Sequence, residues 1–398
     1  AGAGGTVQID AGQTLTLGGN NGSTDFAGVI FNTGNLAKQG SGIFTVTGLL
    51  SHSGTTSITG GTLASGAANI WSGNGLVTIG TGGALSLGGF EQSIAAISLA
   101  GGTLANGSLT GSISSSGGTI RDISGTANGL QATAGTTTLS GSGSFAQGVT
   151  LAGGDVVLQG AGASIADTAL VGVNAGSLFV NVGETIGALA GSGGRVQIAA
   201  GQVLNTGSSN ASSSYAGVLS GDGSLLKAGT GTFTLSGANT LTGTTTVNAG
   251  VLALASGGSL SGAVLNNAGF SNAGTVAGLV TNTGTLISNG VLGGGLVNSG
   301  SAGLSGQLNG AVTNSGLVQL QGGLTGITGF SQTANGSFDL AGFNTSIGSL
   351  SGAGTLLLGN ATLTLGGSNA STSFGGTIGG TGGLIKTGSG AFTLTSGQ

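Results

Sequence analysis

A register that holds without a gap for over 60 residues governs what this chain can fold into. "AGAGGTVQIDAGQTL" at residues 1–15 recurs as "AGSGGRVQIAAGQVL" at 190–204. The same offset of 189 runs on through "NNGSTDFAGVI" against "SNASSSYAGVL", "SGIFTVTG" against "TGTFTLSG" and "SGTTSITGGTL" against "TGTTTVNAGVL". A third copy, "LTLGGSNASTSFGGTIGGTGGLIKTGSGAFTL", lies 159 residues beyond the second. In all three an aromatic residue (Phe26, Tyr215, Phe374) precedes a lysine (Lys38, Lys227, Lys386) by 12 positions, and a phenylalanine (Phe44, Phe233, Phe392) follows it by 6. Spacing this constant marks a structural unit that is stacked on copies of itself.

Inside the units the hydrophobic period is two. In "GTFTLSG", Phe233 and Leu235 alternate with Thr232 and Thr234. Such runs of three to five residues, closed by Gly, Asn or Ser, read as short strands between tight turns, and no stretch carries a helical pattern with caps. From residue 262 a shorter repeat takes over, "GAVLNNAG", "GLVTNTG", "GLVNSG" and "GAVTNSG", whose closing glycines Gly269, Gly284, Gly300 and Gly316 recur about every 16 residues. Unequal units of strand and turn predict an all-β chain, a single right-handed parallel β-helix in which each coil lies on the last at about 4.8 Å. The asparagines of the N-x-G turns are expected to stack into amide ladders. A β-sandwich is the runner-up, but it predicts loops of varied length rather than gapless registers. No linker or charge run interrupts the chain, so residues 1–398 are expected to form one continuous array, with repeat units at 1–65, 190–254 and 350–398 and the N-x-G repeats at 262–320.

Composition closes off the other classes. Charged residues are 4% of the chain against about a quarter in an ordinary soluble domain. A disordered chain is usually poor in hydrophobic residues and rich in charge; here mean hydropathy is +0.43. The 93 glycines come without proline, which excludes a collagen helix, and are expected to supply the positive φ angles of tight turns. A net charge of −4 gives no footprint for nucleic acid. Without cysteine there are no disulfides or thiolate-held metals, and no run is long enough to span a bilayer. There is no initiator Met and no signal peptide, and neither end carries a recognisable solenoid cap. The chain is therefore expected to be a segment of a longer protein, or else to stack head to tail as a filament.

Residues 221–252, "GDGSLLKAGTGTFTLSGANTLTGTTTVNAGVL", resemble the autotransporter-associated β-strand repeat almost position by position, with Leu241 where that repeat usually has Tyr. The match is good at 34–63 and truncated at 380–397. The resemblance implies an extracellular passenger stalk, displayed at the cell surface of a Gram-negative bacterium after export by a type V route. The family's C-terminal membrane barrel is absent from these 398 residues.

Nothing in the sequence assembles an active site, so no catalytic, cofactor-binding or metal-binding residue is assigned and no enzyme activity is expected. His52 takes the position of Leu241 in the next copy, has no charged neighbour nearer in sequence than Lys38, and is expected at the surface. The acids are scattered. Glu91 and Glu184 fall close together when their units are aligned, but the third copy has no acid there. "AGGDVV" reads as a turn rather than a calcium repeat, and sequons such as those at Asn210 and Asn369 are expected by chance. The lysines have the parity of core residues, yet no acid stands at a constant offset; Asp222 has no acidic counterpart at Asn35. They are expected to end their strands and to snorkel outward at a coil corner. A structural or adhesive rod follows, whose partners are copies of itself, end to end or side by side, or host and bacterial surfaces. The alternatives are a glycan- or ice-binding solenoid built on outward threonines, or a polysaccharide-processing enzyme.

Overall fold

The computed structural model describes residues 4–73, 75–160, 162 and 165–396, so Ala1–Ala3 of the first repeat unit and Gly397–Gln398 of the third lie outside the described residues. The described chain is all β-strand and turn, without a helix. It forms two compact units, Ala1–Leu204 and Asn205–Gln398, and each is a parallel β-solenoid.

In the first unit Thr14–Leu17 pairs with Asn35–Lys38, that strand with Thr56–Ile58, and that one with Val77–Gly80, each partner one coil further on. A second wall stacks Phe44, Leu63, Leu85, Leu104, Ile120, Leu139, Leu158, Val180 and Ile198 in one inward row. Alternation sets this row: one face of each short strand is apolar, and stacking puts like on like across coils. The second unit repeats the device with Phe233, Leu252, Phe270, Leu286, Ala302, Val318, Phe338 and Leu356. The ring of Phe338 stacks on Phe330 at 4.3 Å between centroids.

Coil length follows the repeats. Thr245 pairs with Val264, but Val264 pairs with Val280 and Val280 with Leu296, so the coil shortens to 16 residues where the N-x-G pattern begins. Strand length departs from the expected three to five residues. Thr103–Ser115 runs for 13 residues, Gly118–Ala132 for 15 and Leu317–Gln332 for 16. Those strands resume their pairing after shifts in register, one of them between Ser108 and Thr110, and Gly111 (φ 150°) and Gly125 (φ 154°) supply backbone angles that a side chain would resist.

Many glycines, Gly40 and Gly229 among them, have the positive φ expected of tight turns, and others serve another purpose. Gly243, Gly262, Gly278 and Gly294 form a column, and none has a positive φ. A Cβ on Gly243 would stand 1.9 Å from the carbonyl oxygen of Gly223 one coil above, one on Gly262 2.3 Å from that of Gly243, and one on Gly278 2.4 Å from that of Gly262. Gly284, Gly300 and Gly316 form a second such column. The corners bring backbone against backbone, and only a residue without a side chain fits.

Candidate functional site

Several of the buried polar side chains gather on inward rows. In the second unit one inward row reads Lys227, Val247, Asn266, Asn282, Asn298, Asn314, Gln332. Each lysine ends its strand as expected: Asn35–Lys38, Ser224–Lys227 and Gly383–Lys386. The outward snorkel is corrected. Lys38 and Lys227 are fully buried. The Lys227 ammonium donates to the carbonyls of Ala228 (2.5 Å), Gly229 (2.8 Å) and, one coil on, Ala249 (3.2 Å). Lys38 repeats this with Gln39, Gly40 and Gly60. Lys386 is exposed and keeps the two local bonds, to Thr387 and Gly388. A buried ammonium needs acceptors, and three corner carbonyls supply them without a carboxylate. Burial lowers the pKa of Lys38 and Lys227. Asp222 stands apart from the lysine and accepts from the Thr242 hydroxyl at 2.6 Å.

Two coils on, asparagine does the same work. Each amide donates to the next along the row: Asn266 to Asn282 (2.6 Å), Asn282 to Asn298 (2.7 Å) and Asn298 to Asn314 (2.9 Å). Each also donates to backbone carbonyls, Asn282 to Gly284 and Ser301 among them. The expected amide ladder is therefore present, inside the solenoid. A different asparagine class caps from outside. Asn21, Asn210 and Asn369, at φ near 60°, accept the N–H of Ser41, Thr230 and Ser389 one coil on.

His52 is also corrected. It is buried, in the core position of Leu241, and its Nε2 shares a hydrogen with the Thr56 hydroxyl at 2.8 Å. Its Nδ1 has no partner among the described residues, and burial lowers its pKa. Replacing His52 with leucine should therefore stabilise the protein by about 1 kcal/mol, since it removes an unsatisfied buried nitrogen and Thr245 already packs in the same setting in the second unit. The gain should widen in acid. A histidine whose folded pKa lies below its unfolded 6.5 keeps its full contribution above that value and loses it as the pH falls through the folded one. Urea unfolding of wild type and His52→Leu at pH 5 and 7.5 checks both points; a less stable leucine variant would mean that the Thr56 bond outweighs the orphan.

The two acids that align most closely differ in kind. Glu91 is exposed, whereas Glu184 is buried and accepts the Ile165 N–H at 2.7 Å. Asp155 follows the Gly153–Gly154 bend, opens a strand and accepts the Ser177 N–H at 2.8 Å. Outward threonines do not build a regular array: Thr234 stacks on Ala253, Ser271, Ile287 and Gly303 in turn. Among the described residues no three His, Cys, Asp or Glu side chains converge on one point, and no helix is long and apolar enough to cross a membrane. A groove of about 550 Å³ in the second unit is lined by Leu324, Thr325, Asn344, Ser346, Thr364 and Ile385. It offers hydroxyls, an amide and an apolar floor, with no charge.

Two stretches, residues 36–64 and 225–254, match a family model described as the passenger-associated-transport-repeat. Both begin beside a corner lysine and span the coil that follows it. No curated protein and no solved structure matches the chain.

Proposed function

We propose, for a chain that carries the passenger-associated transport repeat twice on a parallel β-solenoid, that it is part of the surface-exposed passenger of an autotransporter, exported across a Gram-negative outer membrane. Its role is structural and adhesive rather than enzymatic. The coils are right-handed, the hand that crossovers between parallel strands almost always take. The observation that carries the reading is the coincidence of each family match with one complete corner-and-coil unit. Secretion suits the architecture. Buried anchors such as Lys227, Asn282 and Gln332 bond to backbone one coil away, so folding can proceed coil on coil without a disulfide or cofactor. The walls of Thr, Ser, Asn and Gly make many weak hydrogen bonds to a surface or to another copy, and the uncharged groove fits neutral glycan better than a charged ligand.

The test places the chain between a signal peptide and an outer-membrane autotransporter barrel in a Gram-negative cell. Surface-exposed, protease-resistant protein with increased attachment to abiotic or cell surfaces is the expected result. Retention inside the cell would overturn the passenger reading, and display without any gain in attachment would overturn the adhesive one.

A further inference from the structure

Three sequons, Asn21-Gly22-Ser23, Asn210-Ala211-Ser212 and Asn369-Ala370-Ser371, fall at one position of the three equivalent units. Each asparagine closes a turn by donating its N–H to the carbonyl of Gly18, Gly207 or Gly366, and each stands exposed at φ near 60°. Both polar side chains then hold the next coil from outside. The asparagine Oδ1 accepts the N–H of Ser41, Thr230 or Ser389 at 2.9–3.0 Å. The serine Oγ accepts that of Ile43, Thr232 or Ala391 at 3.0–3.1 Å.

This clamp uses oxygen alone. At Asp122, φ 54°, a carboxylate does the same work, accepting the Ser142 N–H at 2.9 Å and the Ser142 hydroxyl at 3.4 Å. The amide nitrogen of Asn21, Asn210 and Asn369 is therefore left over, exposed and without a hydrogen-bond partner among the described residues. The other sequon asparagines, Asn106, Asn335, Asn344 and Asn360, are exposed as well. Buried asparagines are used differently. Asn266, Asn282 and Asn298 donate from Nδ2 inside the ladder, and none of them has Ser or Thr two positions on. Sequons are thus confined to asparagines on the surface, which chance placement does not require.

We propose that Asn21, Asn210 and Asn369 are acceptors of N-linked sugar, carried on Nδ2 at the outer edge of the coil. The donor is a sugar activated through a diphosphate, and a separate transferase supplies the catalysis. The asparagine nitrogen bonds to the anomeric carbon as the bond from that carbon to the diphosphate oxygen breaks. The diphosphate leaves with the electron pair, and the nitrogen gives up one proton. The product is still an amide whose Oδ1 can accept, so the hold on the next coil survives the modification. The residue between asparagine and serine is Gly22, Ala211 or Ala370, small and exposed in each case.

The test takes protein from the cell that naturally makes it, where the transferase is present, and reads intact mass together with fragmentation that keeps sugars attached. Sugar mass on Asn21, Asn210 and Asn369 is the expected result, with the buried Asn282 bare. Asn210→Asp, the residue type that position 122 uses, should lose all added mass at that site and keep the wild-type urea midpoint. Ser212→Thr should keep both the sugar and the midpoint. Bare asparagine at all three positions in the wild-type protein would overturn the proposal, as would sugar confined to Ser and Thr hydroxyls or to the exposed Lys386 amine. The wild-type mass decides the matter even where a variant folds poorly.

Discussion

Truncating Asn282 to alanine should cost about 3–5 kcal/mol. Its amide sits mid-ladder and fully buried, donating to Asn298, Gly284 and Ser301 and accepting from Asn266. Alanine leaves the Asn298 oxygen and the Ser301 carbonyl short of a donor in a space sealed by the coils on either side. Each buried orphan costs roughly 1–3 kcal/mol, and the missing amide adds a small cavity. Asn282→Asp should be worse at neutral pH, because a carboxylate would face an amide oxygen and two carbonyls with nothing to donate. A stacked array unfolds in parts rather than all at once, so the readout is exchange protection at residues 266–298. A loss below about 1 kcal/mol would mean that water replaces the amide and that the ladder is ornamental to stability.

Gly243→Ala should be as damaging for the opposite reason. The residue lacks the positive φ that would make alanine strained. Its cost is the 1.9 Å approach of the new Cβ to the Gly223 oxygen, with 2.6 Å to the carbonyl carbon. Relief requires two coils to part where the Thr242 N–H and the Gly221 carbonyl hold them at 3.0 Å. Overpacking usually costs 1–3 kcal/mol, and an unyielding backbone puts this case at about 3 or more. Gly257→Ala is the control: it has φ 85° and open space around its Cβ, so it bears only the torsional penalty of about 1 kcal/mol. Comparable unfolding midpoints for the two variants would remove the steric account of the column.

Much of this was legible in the sequence, and what was missed has physical causes. The gapless register and the alternation lead to a parallel solenoid, and the closing glycines mark the 16-residue coils. Strand ends at Lys38, Lys227 and Lys386 were readable as well. Their burial was not, because side-chain spacing looks for a carboxylate partner while the acceptors are backbone carbonyls that only the corner brings together. For His52 the alignment with the core residue Leu241 points inward, against the general tendency of a lone histidine to be at least partly exposed. Glu184 stands one position out of register with Glu91, and its counterpart in the "FEQSIAAI" segment is Gln92. Glycines such as Gly40 and Gly229 serve positive φ as expected, whereas the columns at Gly243 and Gly300 arise from contact between coils, which no local rule detects.

The mixed row from Lys227 through Val247 to Asn314 has a consequence for how such a gene changes over time. Lysine, valine and asparagine succeed one another there without a break in pairing, so two coil types of different length meet at a seam that needs no repair. Unequal crossing-over between repeats can then add or delete whole coils, or transplant one type beside the other, without redesigning a core. Copy number becomes a heritable dial, free to drift under selection while the packing chemistry stays the same.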